Sequence, residues 1–92
     1  MISESMLNQE IYKKHILNKI EDVYVFGTSK EDVDYIIKFC KLLTENYKNQ
    51  YFFNIISDLE QKFIHSSTDI YVLNDLDKIK NFIKYSLSQN KN

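Results

Sequence analysis

The chain has 92 residues, enough for one small domain and too few for two independent cores. Hydrophobic residues make up 43% and charged residues 27%, which excludes a disordered tail or a collagen-like repeat. Twelve basic residues stand against thirteen acidic ones for a net charge of −1, so there is no electrostatic footprint for nucleic acid or an anionic membrane.

All twelve basic residues are Lys, and Ala, Arg, Pro and Trp are absent. Those of them with GC-rich codons, together with the single Gly27, point to an AT-rich genome, such as a low-GC bacterium, its phages or its plasmids. Without Arg there is no planar fork for bidentate contact with phosphate, carboxylate or guanine. With one Gly, neither a P-loop nor a dinucleotide fingerprint can be written. Cys40 is alone, so no intrachain disulfide forms. Met1 to Ser5 lack the basic and apolar regions of a signal peptide, which leaves the cytoplasm as the expected address. The longest uncharged runs, such as Asn49 to Ser57, are too short to span a bilayer.

In chain order, the first helix is expected from Ser3 to about Tyr24, with Ser3 or Ser5 as cap. Placed at 100° steps, Ile2, Met6, Tyr12, Ile16, Leu17, Ile20, Val23 and Tyr24 fall on one face, with Leu7 and Ile11 outside it. Lys13, Lys14 and His15 are read as its polar face. Gly27 ends this segment, and Ser29 with Glu31 and Asp32 opens the next, which runs to about Asn46. Val33, Ile36, Ile37, Cys40, Leu43 and Tyr47 form its stripe, and Asp34, Lys38, Lys41, Glu45 and Lys48 lie opposite. The third stripe, Phe52, Ile55, Ile56, Leu59 and Phe63, is out of phase with the second, and the slip near Asn46 to Gln50 predicts a break there. The fourth segment carries Val72, Leu76, Ile79, Ile83 and Leu87, with Thr68 or Asn74 as cap and a polar tail from Ser88 to Asn92.

These segments predict an all-α, antiparallel four-helix bundle forming a single domain over 1–92. The alternative is a small α+β fold: Val23 to Phe26 and Ile70 to Leu73 are rich in β-formers and would pair as a two-stranded ribbon.

Catalytic equipment is sparse. Cys40 sits in an apolar stripe, where a thiol acts as a small hydrophobe. His15 reads as a surface residue, and His65 as a cation at a negative helix end. The histidines and cysteine lack metal-ligand spacing, and Asp69, Asp75 and Asp77 lack the Gly and Glu of a calcium loop. The acid groups Glu21-Asp22, Glu31-Asp32-Asp34 and Asp75-Asp77 are not paired for acid–base work, and capping accounts for two of them. No catalytic, cofactor-binding or metal-binding residue is assigned, and the chain reads as a non-enzyme.

The informative feature is the aromatic content: seven Tyr and six Phe, 14% of the chain. Tyr35, Phe39, Tyr51, Phe53, Tyr71, Phe82 and Tyr85 fall off the best stripes. Aromatic side chains are favoured at protein interfaces, so Tyr35, Phe39, Phe53, Tyr71, Phe82 and Tyr85 are the candidate partner-binding residues. Glu21, Asp22, Glu31, Asp32 and Asp34 flank the first connection and form a candidate acidic contact surface. Lys78, Lys80, Lys84 and Lys91, interleaved with Phe82 and Tyr85, make the C-terminal segment the most basic. The expected partner is another protein, with nucleic acid disfavoured and a homodimer compatible with the broad apolar arcs.

In length, helix order and the apolar pattern of Leu42-Leu43, Ile55-Ile56 with Leu59, and Leu76, Ile79 and Ile83, the chain resembles the immunity proteins of class IIa bacteriocins. The resemblance implies a four-helix bundle in the producer's cytoplasm. It also implies that the hairpin of the third and fourth helices, with the C-terminal segment, recognises a bacteriocin-engaged membrane sugar transporter. The matching positions are apolar, so no functional residue carries over. Two other functions fit the sequence: a phage- or plasmid-encoded inhibitor of a host enzyme such as a nuclease, working through the acidic cluster, and a small nucleic-acid-binding regulator.

Overall fold

A computed structural model describes the backbone of residues 4–45, 48–65 and 69–89, and the side chains of 8–45, 48–64 and 72–89. The chain is all-α, with four helices: α1 Glu4–Phe26, α2 Lys30–Thr44, α3 Gln50–His65 and α4 Asp69–Gln89. Its contacts divide it into two compact units, one holding α1 and α2 and the other α3 and α4. Each is an antiparallel helical hairpin. In the first, Tyr12 meets Phe39 while Lys19 meets Asp32. In the second, Phe52 meets Phe82 while Lys62 meets Asp75.

Local chemistry sets the boundaries. At the end of α1, Gly27 takes φ +98° and its N–H donates to the Val23 carbonyl at 2.9 Å, closing the last turn with a left-handed residue. A Cβ there would meet nothing within 4 Å, so the need for glycine is conformational and not a matter of space. Two residues later Ser29, in extended backbone, caps α2 by accepting from the Asp32 N–H at 3.1 Å. Glu31 and Asp32 then occupy the first turn, at the positive end of the helix dipole. The expected break between the second and third stripes is present: α2 stops at Thr44, and Asn49 caps α3 by accepting from the Phe52 N–H at 3.1 Å.

Most of each apolar stripe is buried, but Leu17, Phe63 and Leu87 are half-buried, Tyr24 is exposed, and Ile2, Met6 and Tyr47 lie outside the described side chains. The first hairpin buries Ile16, Ile20 and Val23 of α1 and Val33, Ile36, Ile37, Cys40 and Leu43 of α2. The second buries Phe52, Ile55, Ile56 and Leu59 of α3 and Val72, Leu76, Ile79 and Ile83 of α4. Each such side chain contributes about 1.5–3 kcal/mol relative to exposure. That gain holds together a fold with a single glycine and no proline.

Several expectations need correction. The ribbon does not form: residues 23–26 are the last turn of α1, residues 70–73 lie within α4, and no strand occurs among the described residues. Asn74 is inside α4 and caps nothing, and Ser5 is inside α1; Ser3 and Thr68 lie outside the described residues. Asp75 and Asp77 are likewise well inside α4 and not at a helix start. Lys13 is not on a polar face. It is 1% exposed, and burial lowers its ammonium pKa below the ordinary 10.5, partly opposed by the nearby Glu10 carboxylate.

Candidate interaction surfaces

In the first hairpin the rings that fall off the main stripes form the seam between the helices. Phe39 lies 4.6 Å from Tyr35, 5.4 Å from His15 and 5.7 Å from Tyr12, centroid to centroid. The Tyr35 hydroxyl stands 3.5 Å from His15 Nδ1, long for a hydrogen bond, and Lys19 Nζ sits 4.9 Å from the centre of the Tyr35 ring. Tyr35 and Phe39 are half-buried by this packing. Phe39 packs against α1 through Tyr12 and His15, and Tyr35 through Lys19.

The tip of this hairpin gathers the acidic candidates. Lys19 bridges Asp22 at 3.7 Å and Asp32 at 3.6 Å, so one cation ties α1 to α2 and offsets two of the five carboxylates. Glu21, Glu31 and Asp34 remain exposed around it. Among them stands an apolar turn. Val25 is 65% exposed and Phe26 82%, with Tyr24 also exposed. Sequence reasoning missed this feature because it placed Tyr24 on the core face and Val25 and Phe26 in a candidate strand. The available signal was Gly27: a helix that stops immediately after Phe26 leaves its final side chains with little on their far side.

In the second hairpin Phe82 stacks on Phe52 at 4.8 Å and 13°, and also approaches Tyr51 at 6.0 Å. Phe82 is half-buried in this contact. Tyr51 (59%), Phe53 and Tyr85 (65%) are exposed. Tyr71 lies in α4, but its side chain is outside the described ones. Of the six aromatic candidates, Tyr35 and Phe39 belong to the first hairpin and Phe53, Phe82 and Tyr85 to the second. Ile64, near the end of α3, is a further exposed apolar residue that the stripes did not indicate.

Comparison with protein families, curated proteins and solved structures gives no match.

Three further groups bear on chemistry. Burial pushes the Cys40 thiol above its ordinary 9.0, which opposes thiolate formation. Asp75 is buried, with Lys62 Nζ 3.2 Å from Oδ2 and 3.4 Å from Oδ1; no aligned hydrogen bond reaches Oδ2. That pair links α3 to α4. Among the described residues no three His, Cys, Asp or Glu side chains converge as metal ligands, and no helix is long and apolar enough to cross a membrane.

Proposed function

We propose that this chain acts by binding another protein, in the manner of an immunity-type protein that protects by occupying its target. The observation that carries the reading is the apolar turn Tyr24-Val25-Phe26 at the tip of the first hairpin. Large apolar side chains held out to water in so small a fold gain free energy only when a partner covers them. Acids around an apolar centre supply the polar rim of an interface. The four-helix order also agrees with the class IIa bacteriocin immunity resemblance, whose target is a bacteriocin-engaged sugar transporter, although that resemblance places recognition on the α3–α4 hairpin.

The exposed Glu21, Glu31 and Asp34 favour a second reading, an inhibitor that approaches a basic site on a host enzyme such as a nuclease. The Lys19 bridges reduce the charge available for that role.

The test is affinity capture of the tagged full chain from a low-GC Gram-positive host, with membrane and soluble fractions kept apart. The paired substitution Val25→Ser with Phe26→Ser serves as control. Immunity requires recovery of a membrane sugar transporter only when bacteriocin is present. Inhibition requires a soluble nucleic-acid enzyme and loss of capture when Glu31 and Asp34 are neutralised. Recovery of the same proteins by the double Ser variant overturns the role given to the tip.

A further inference from the structure

We infer that the chain associates with a second copy of itself, the acidic, apolar tip of the first hairpin on one copy seating against the cationic, aromatic open end of the second hairpin on the other. This contact uses the tip assigned above to partner binding but does not depend on that assignment.

Charge in the second hairpin is sharply segregated. The pairing of Phe52 with Phe82 and of Lys62 with Asp75 lays residues 49–57 alongside 78–89. Neither stretch contains an acid, whereas Lys78, Lys80 and Lys84 all lie there. Asp58, Glu60, Asp69, Asp75 and Asp77 all fall between positions 58 and 77, nearer the α3–α4 connection. Lys78 and Lys84 are exposed, while Lys80 leans on Asp77 at 3.0 Å. The open end also exposes Tyr51, Phe53 and Tyr85. The open end therefore carries both exposed lysines and exposed rings.

The tip of the first hairpin is its complement. Between positions 19 and 34 five acids stand against Lys19 and Lys30, leaving three acids in excess. Val25 and Phe26 are exposed within the same stretch of chain. Acid thus meets lysine and aliphatic or phenyl surface meets ring, and both halves of the match lie on one chain. Within the roughly 8–10 Å over which ordinary salt leaves charges unscreened, acid on one copy attracts lysine on the other. A single contact of this kind is smaller than the roughly 800 Å² per partner of a stable complex, so association is weak and reversible.

The test is sedimentation equilibrium of the purified full chain from micromolar to millimolar concentration, with helicity checked by circular dichroism. The wild type is expected to self-associate at low salt, and raising salt from about 50 to about 500 mM should weaken association about tenfold. Glu31→Lys with Asp34→Lys reverses the tip, and Lys78→Glu with Lys84→Glu reverses the open end. Each double variant alone is expected to be monomeric. Mixed in equal amounts they are expected to associate again, because each reversed pole then meets a matching one. A wild type that stays monomeric at low salt overturns the proposal. So does association that is indifferent to salt, that is abolished by nuclease, or that fails to return on mixing. The salt series needs no variant to fold, and capture of a foreign partner in the preceding experiment is scored independently.

Discussion

Breaking the Lys62–Asp75 pair at Lys62 should cost far more than a surface ion pair normally contributes. The two charges are 3.2 Å apart, and at an effective dielectric of about 20 that separation corresponds to about 5 kcal/mol. Lys62 is 38% exposed, so solvent screens its side of the pair, while Asp75 at 2% is nearly sealed. Halving the attraction for that exposure leaves about 2–3 kcal/mol. Lys62→Met keeps the aliphatic stem but leaves a buried carboxylate without its counter-charge, and should lose about that amount. With a urea slope near 1.5 kcal/mol per M, the unfolding midpoint falls by about 1.3–2 M. Adding Asp75→Leu should recover most of the loss, because two apolar residues need no partner. Urea titrations of the wild type, both single variants and the double variant close the cycle. A Lys62→Met loss below about 0.5 kcal/mol, or a double variant no better than the single, refutes the argument that burial of the acid makes the pair matter.

Lys13→Met should raise stability at neutral pH. Because burial lowers the folded-state pKa of Lys13 below 10.5, the unfolded chain binds the proton more tightly, and wild-type stability climbs as pH rises through the interval below 10.5. The advantage of the variant should therefore shrink over that interval in paired thermal melts, and a constant gap would contradict the assignment. Gly27→Ala should cost about 1 kcal/mol from its φ of +98° alone, since the added methyl meets no neighbour, and Gly27→Asn should cost less by thermal denaturation. Native Cys40 should resist a thiol reagent such as dithionitrobenzoate and react fully in denaturant; rapid labelling of the folded chain would show the helix opening locally.

The helices were legible because their signals were redundant. The α2 stripe from Val33 to Leu43, the Ser29 cap and Gly27 agree with one another, and the phase slip before Phe52 located the second break. The boundary of α4 was not, since Asn74 and Asp75 have the composition of a helix start yet lie inside the helix. Lys13 and Asp75 went astray because residue type outweighed spacing. Lys13 precedes Ile16, Ile20 and Val23 at intervals of three, seven and ten, and Asp75 sits three beyond Val72 and four before Ile79. Each is in step with a buried stripe, and position won over polarity. Of the acidic candidates, Asp22 and Asp32 share Lys19 as a partner. The aromatic list was less legible, because helical phase alone cannot say which off-stripe ring is claimed by the neighbouring helix, as Phe39 and Phe82 are.

Pairing each helix with the one next to it in sequence has a consequence for how quickly the fold assembles. The Lys62–Asp75 pair closes a span of 13 residues and the Phe52–Phe82 stack one of 30; in the first hairpin, Lys19–Asp32 and Tyr12–Phe39 close spans of 13 and 27. Closing such short loops sacrifices little chain entropy before the side-chain contacts repay it. Neither hairpin has to wait for the far end of the chain, so each is expected to close fast, on the timescale of local helical contacts.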